Sequence, residues 1–161
     1  LLIIPFPAFH MINANFSLNL KNAIENSGIN PNQLLLEISE TNFDFSLREF
    51  QSLTKEIAQL GVKLSLNLFS SPKTPLTHLF QLDLDTIRID ISTMENLPAN
   101  PKSAIFFKSI VSMAHDLGIE IIADHLRSEK ETTLIKSLGA DSLMGPIIGP
   151  PLPISELLNL K

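Results

Sequence analysis

Acidic, amide and basic side chains recur at the ends of short apolar runs: Glu37 and Glu40, Asn67, Arg88 and Asp90, then Asp124 and His125. Glu37, Asp90 and Asp124 are carboxylates on three different runs. Carboxylates gathered from several strands are the usual oxygen ligands of Mg²⁺ and a usual setting for phosphoryl chemistry. The same residues have plainer uses, which the spacing alone favours. Glu37 suits a helix or loop anchor, or an ion pair with Arg88, and Asp90 and Glu40 suit loop holders accepting backbone N–H groups. Asp124 suits a cap for a helix beginning near Ser128. His125 reads as a partly exposed loop residue, and His10, His78 and His115 have no partner at a recognisable spacing. Cysteine is absent, which excludes thiol nucleophiles, Cys-based zinc sites and disulfides.

The elements that position these residues form a strand–helix repeat. Gly28, Gly61, Gly118 and Gly139 each end a helical pattern, where a left-handed cap favours glycine. Six strands are predicted, near residues 1–6, 33–39, 62–69, 86–91, 119–124 and 141–144. Most are continuous apolar runs, as in a parallel sheet buried on both faces. Between them, Leu47, Phe50, Leu53, Ile57 and Leu60 recur at helical spacing, as do Ile105, Ile110, Met113, Ala114 and Leu117. This is an α/β pattern that fits either an open doubly wound sheet or a (β/α) barrel short of its eight strands. No phosphate-binding glycine fingerprint follows a strand, which weakens the nucleotide-binding open sheet. In both architectures, sites lie at the carboxyl ends of the strands.

The chain has 161 residues, the size of one domain, and we treat 1–161 as a single unit. Hydrophobic residues are 44% and charged residues 18%, enough for a full core. The net charge is −5 and no Lys/Arg cluster occurs, which argues against a nucleic-acid surface. Trp and Tyr are absent. No apolar run is long enough to span a bilayer, and Leu1–Phe6 does not read as a signal peptide, so a cytoplasmic location is expected. Leu1–Ile4 reads as the middle of a buried strand, and the first Met is Met11, so a trimmed domain or a piece of a longer protein is expected. Pro98–Pro101 reads as a loop, residues 146–153 as a partly extended proline-rich segment, and Ile154–Leu160 as a last helix.

Six segments carry a family resemblance. Leu34–Glu40 (LLLEISE) resembles the "LELEITE" segment of EAL domains, the cyclic di-GMP phosphodiesterases. Leu60–Phe69 is similar to "LGVRIALDDFG", Leu84–Asp90 to "VDALKID" and Ala114–Asp124 to "AHALGLRVVAE". Leu138–Pro146 is similar to "LGCDYVQGY", and Gly149–Pro153 to "GRPLP". The segments occur in the family's order over nearly the whole chain. The resemblance implies an EAL-type (β/α) barrel, incomplete, with its signature Glu-Ala-Leu segment placed before Leu1.

Carried over position by position, the resemblance implies a degenerate active site. The metal-binding Asn of the "NVS" strand falls on Pro5, and the paired acids of "DDF" fall on Asn67 and Leu68. The Lys of "KID" is Arg88, the Glu of "AEG" is Asp124, and the Gln of "QGY" is Met144. Glu37, Glu40 and Asp90 match the family, while the loop after the third strand has become Ser70–Pro75. Two-metal hydrolysis needs several oxygen ligands around both ions and an activated water, and this set is too small. The expectation is an inactive regulatory domain with no metal and no cofactor, acting through a protein partner. Pro5, Leu68, Met144 and Pro150 would form an apolar contact surface, with helix 44–60 and the Ser70–His78 loop as contact elements. A homodimer through residues near 70–110 is also allowed by the family. A non-hydrolysing cyclic di-GMP receptor using Arg88 and Arg127 comes second, and an unrelated βα enzyme using Glu37, Asp90 and Asp124 third.

Overall fold

The structure, a computed structural model, describes residues 1–6, 15–39, 47–68, 81–150 and 152–157. The elements run β1 (Leu2–Phe6), α1 (Phe16–Ser27), β2 (Leu34–Ser39), α2 (Leu47–Gln59), β3 (Lys63–Leu68), β4 (Thr86–Asp90), α3 (Pro101–Asp116), β5 (Glu120–Asp124), α4 (Glu129–Ser137), β6 (Ser142–Leu143) and α5 (Ile154–Leu157). All six predicted strands are present, within a residue or two of their expected ends. The four helix-ending glycines have φ of 69°, 76°, 75° and 99°. The expected last helix is described over Ile154–Leu157, and the expected helix 44–60 over Leu47–Gln59. Glu40, the Ser70–Pro75 loop, His10 and His78 lie outside the described residues.

The strands form one sheet in the order β1-β2-β3-β4-β5-β6, and every pairing is parallel. This order decides between the two architectures. Right-handed crossovers that always advance in one direction lay every helix on the same face, whereas a doubly wound sheet reverses. The sheet is therefore a curled half-barrel with helices outside.

Alternation along each strand sorts the two faces. Leu36 and Ile38 of β2, Leu64 and Leu66 of β3, Ile87 and Ile89 of β4, and Ile121 and Ala123 of β5 pack in one cluster with Phe50, Ile57, Phe107, Val111 and Ile135 of the helices. The opposite, concave face carries Glu37, Ser65, Asn67, Thr86, Arg88, Asp90 and Asp124. Of the buried polar residues among those described, only Thr54 lies off this face. At the sheet's margin Leu2 of β1 remains 51% exposed, as suits a strand paired on one side.

At the amino ends of the strands, two aspartates clip neighbours together. Asp85 Oδ2 accepts the Leu64 N–H at 2.8 Å, and Asp141 Oδ2 accepts the Ile121 N–H at 2.7 Å. Asp141 Oδ2 also lies 2.9 Å from His115 Nε2, so His115 has a partner that its position in the chain did not reveal.

Candidate functional site

The register brings the strand-end residues together. Asp90 on β4 is directly opposite Asp124 on β5, Arg88 is opposite Asn67 on β3, and Glu37 is opposite Ser65. Period-two alternation then aims Glu37, Asn67, Arg88, Asp90 and Asp124 into the concave side.

Arg88 is the centre. Its Nη1 is 3.0 Å from Glu37 Oε2 and its Nε is 3.2 Å from Asp124 Oδ2. Asn67 Nδ2 donates to Glu37 Oε1 at 3.2 Å. Glu37 is buried, and that burial pushes its carboxyl above the usual value. Arg88 and the Asn67 bond pull the other way, and the charge on Asp124 adds to the rise. Of the two plainer uses expected of Glu37, the ion pair with Arg88 is thus the one present. Asp90 plays its expected loop-holding part: its Oδ1 accepts the Ser92 N–H at 2.8 Å and the Ser92 hydroxyl at 2.6 Å.

One expectation needs correction. Asp124 does not cap α4; its Oδ1 accepts the N–H of the next residue, His125, at 2.6 Å. The cap is Ser128, which accepts the Glu131 N–H while Glu131 Oε2 accepts the Ser128 N–H, a reciprocal box. His125 is a partly exposed loop residue, as expected, and it also has neighbours the sequence did not show. Its backbone takes φ of 63°, and Nδ1 comes within 3.3 Å of both Asp90 Oδ1 and Asp124 Oδ2. Only folding sets this ring between two acids on separate strands, so the spacing carried no signal for it. A close contact fixes the loop from behind: a Cβ on Gly145 (φ 138°) would meet Leu126 N at 2.3 Å.

The remaining candidates scatter. Pro5, opposite Glu37 in the register, is exposed and offers no side-chain oxygen. Leu68 ends β3, and its side chain lies outside the described residues. Met144 is half-buried, its N–H donating to Ala123 O at 2.8 Å. Arg127 is exposed, away from the two ion pairs of Arg88, with its N–H on Glu131 Oε2 at 2.7 Å.

The donor set does not fit a pair of divalent cations. Asn67 is neutral and Pro5 and Leu68 bring no oxygen, while Glu37 and Asp124 both close on one guanidinium. Among the described residues, no group of three or more His, Cys, Asp and Glu side chains is arranged to hold a metal ion.

The comparisons with known proteins agree with the fold. The EAL domain family matches residues 2–151. PdeA of Borreliella burgdorferi, a cyclic di-GMP phosphodiesterase, is 31% identical over 144 residues, covering 87% of this chain and 21% of that protein. The chain spans 16–21% of the length of the curated relatives it matches. The EAL domain of Mycobacterium smegmatis DcpA superposes with a TM-score of 0.92 at 19% identity, over 99% of this chain and 71% of that one. The phosphodiesterase MucR of Pseudomonas aeruginosa, in complex with cyclic di-GMP, superposes with a TM-score of 0.85 at 23% identity, over 96% and 69%. With its parallel half-barrel and a family match over nearly its whole length, the chain belongs to the EAL domain family.

Proposed function

We propose that the chain is a regulatory EAL domain that does not hydrolyse cyclic di-GMP and that acts by binding another protein. The observation that carries this reading is Arg88. A guanidinium 3.0 Å from Glu37 and 3.2 Å from Asp124 stands where a phosphodiesterase of this family needs carboxylates open to metal. The cation is covalently part of the chain, so any divalent ion must displace it from both acids at once.

The protein-binding half rests on the surface beyond β6. Ile147 is 42% exposed and Ile148 52% exposed, between the exposed Pro146 and Pro150. This apolar rim follows directly on Met144, at the carboxyl ends of the strands, and suits an apolar partner surface. The described exposed positions of α2 are mainly polar, so α2 is a poorer contact element than the sequence implied. Self-association is a second reading, favoured by Ile105 and Phe106 on α3, which are 66% and 57% exposed. The receptor reading loses ground, because the Arg88 charge is already shared between two carboxylates.

The test is incubation of pure protein with cyclic di-GMP and Mg²⁺ or Mn²⁺, following linear pGpG by chromatography. No conversion above the buffer control is expected, and metal-dependent conversion overturns the reading. Calorimetric titration with cyclic di-GMP at two temperatures should give no saturable heat; micromolar binding would put the receptor first. A protein retained by the wild type and lost with Ile148→Asp supports the partner half, and equal retention by both counts against it.

A further inference from the structure

Beside the carboxylate cluster lies a cavity of about 570 Å³, between the turn that follows β4 and the start of α4. We infer that it binds a small organic anion, specifically a phosphate monoester carried on a flat apolar ring. The volume falls within the range of small-ligand pockets. Ile91, Leu97 and Met94 give it an apolar floor, and the first two are buried. Arg127, Lys130 and His125 line it from the other side.

The charges argue for the anion. Neither Arg127 nor Lys130 takes part in an ion pair among the described residues. One acid lines the cavity, Glu131, and its Oε2 is committed to the backbone N–H groups of Arg127 and Ser128. The wall therefore presents two uncommitted cations. A guanidinium paired with an ammonium matches a doubly charged phosphate better than a single carboxylate. The start of α4 is not the binder, since Ser128 and Glu131 already satisfy its cap. The apolar floor asks for a ring and not for a bare ion.

The backbone points to the same place. Among the described residues, the non-glycine positions with left-handed backbone are Asn96 (φ 41°) and His125 (φ 63°), and both line this cavity. Such conformations cost free energy and cluster at ligand sites. This inference stands apart from the hydrolysis question, because it uses none of Glu37, Asn67, Arg88 or Asp124.

Naphthyl phosphate is a suitable probe. The chain has no Trp or Tyr, so ligand fluorescence is read without protein background. Saturable binding in the range of about 0.1–1 mM is expected. Arg127→Glu and Lys130→Glu should each weaken it about tenfold, with circular dichroism and urea midpoint unchanged because both positions are exposed. Ala99→Phe, at an exposed lining position, should abolish binding by filling the space. Naphthol should compete poorly. Absence of saturation up to about 5 mM overturns the inference. So does competition by naphthol as strong as by the phosphate, or binding that survives both the charge reversals and Ala99→Phe.

Discussion

The two ends of the sheet use acids in opposite ways. At the amino ends, Asp85 and Asp141 each accept a backbone N–H of the preceding strand, from Leu64 and Ile121. These carboxylates hold strands in place, and Asp141 also meets His115. At the carboxyl ends, Glu37 and Asp124 face a cation, Arg88, and Asp90 and Asp124 share the ring of His125. Barrel folds keep chemistry at the carboxyl end and stability at the amino end. Here the acids at the carboxyl end are engaged in ion pairs with Arg88 and close contacts with His125, so on the reading proposed above their charge serves the fold.

The sharpest break of this contrast is Arg88→Met. It leaves two buried carboxylates without their cation and should destabilise the fold by about 3–4 kcal/mol, read from urea unfolding. Asp85→Ala, which removes one acceptor at an exposed position, should cost only about 1 kcal/mol. Comparable losses in the two variants would erase the distinction between the ends. Next in size is Asn67→Asp. The Nδ2 donor to Glu37 becomes a second negative charge beside it, for a loss of about 2 kcal/mol. Millimolar Mg²⁺ or Mn²⁺ should not restore that stability, because Pro5 and Leu68 add no oxygen. Recovery on adding metal would show that Arg88 yields its place, and would revive metal-dependent chemistry here.

The amino-end aspartates and the carboxyl-end cluster differed in how far the sequence announced them. The strand–helix repeat was legible because its cues are local: glycine caps at 28, 61, 118 and 139, and apolar runs of strand length. Those cues left open sheet and barrel both standing, and the barrel came from the family resemblance and then the strand order. Glu37, Asp90 and Asp124 were legible because period-two alternation puts strand-end acids on one face. His115 with Asp141, and His125 with Asp90, were not. Each joins residues from different βα units, and the register that aligns Asp90 with Asp124 is fixed only when the sheet forms. The positive φ of His125 left no mark in the sequence either.

A smaller effect separates the ends by pH. Burial raises the Glu37 pKa above its ordinary 4.5 even with Arg88 and Asn67 opposing, so the fold favours the protonated acid. Its contribution to stability is therefore full below pH 4.5 and is lost as pH rises through the folded value. Asp141 has the opposite sign. Burial pushes it up, but the Ile121 N–H and His115 together hold it below 3.8. Its contribution is present above 3.8 and is lost as pH falls through the folded value. Glu37→Gln should flatten the stability curve on the alkaline side of 4.5, and Asp141→Asn on the acid side of 3.8. If either variant leaves its own limb unchanged, that acid is not what sets it.

The smallest expected change is His125→Gly, and its interest lies in two nearly equal terms. Glycine takes φ of 63° without a Cβ penalty, which favours the variant by about 1 kcal/mol in the folded state. Glycine also loosens the unfolded chain by a similar amount, and the imidazole contacts with Asp90 and Asp124 are lost. The ring is 41% exposed, so those contacts are screened and their loss is modest. The net should fall within about 0.5 kcal/mol of zero by thermal or urea unfolding. A loss well beyond that would mean that His125, like Arg88, is one of the groups on which the carboxyl end depends. A clear gain would mean that the ring is held there at the fold's expense, which is what a residue kept for the adjoining cavity would show.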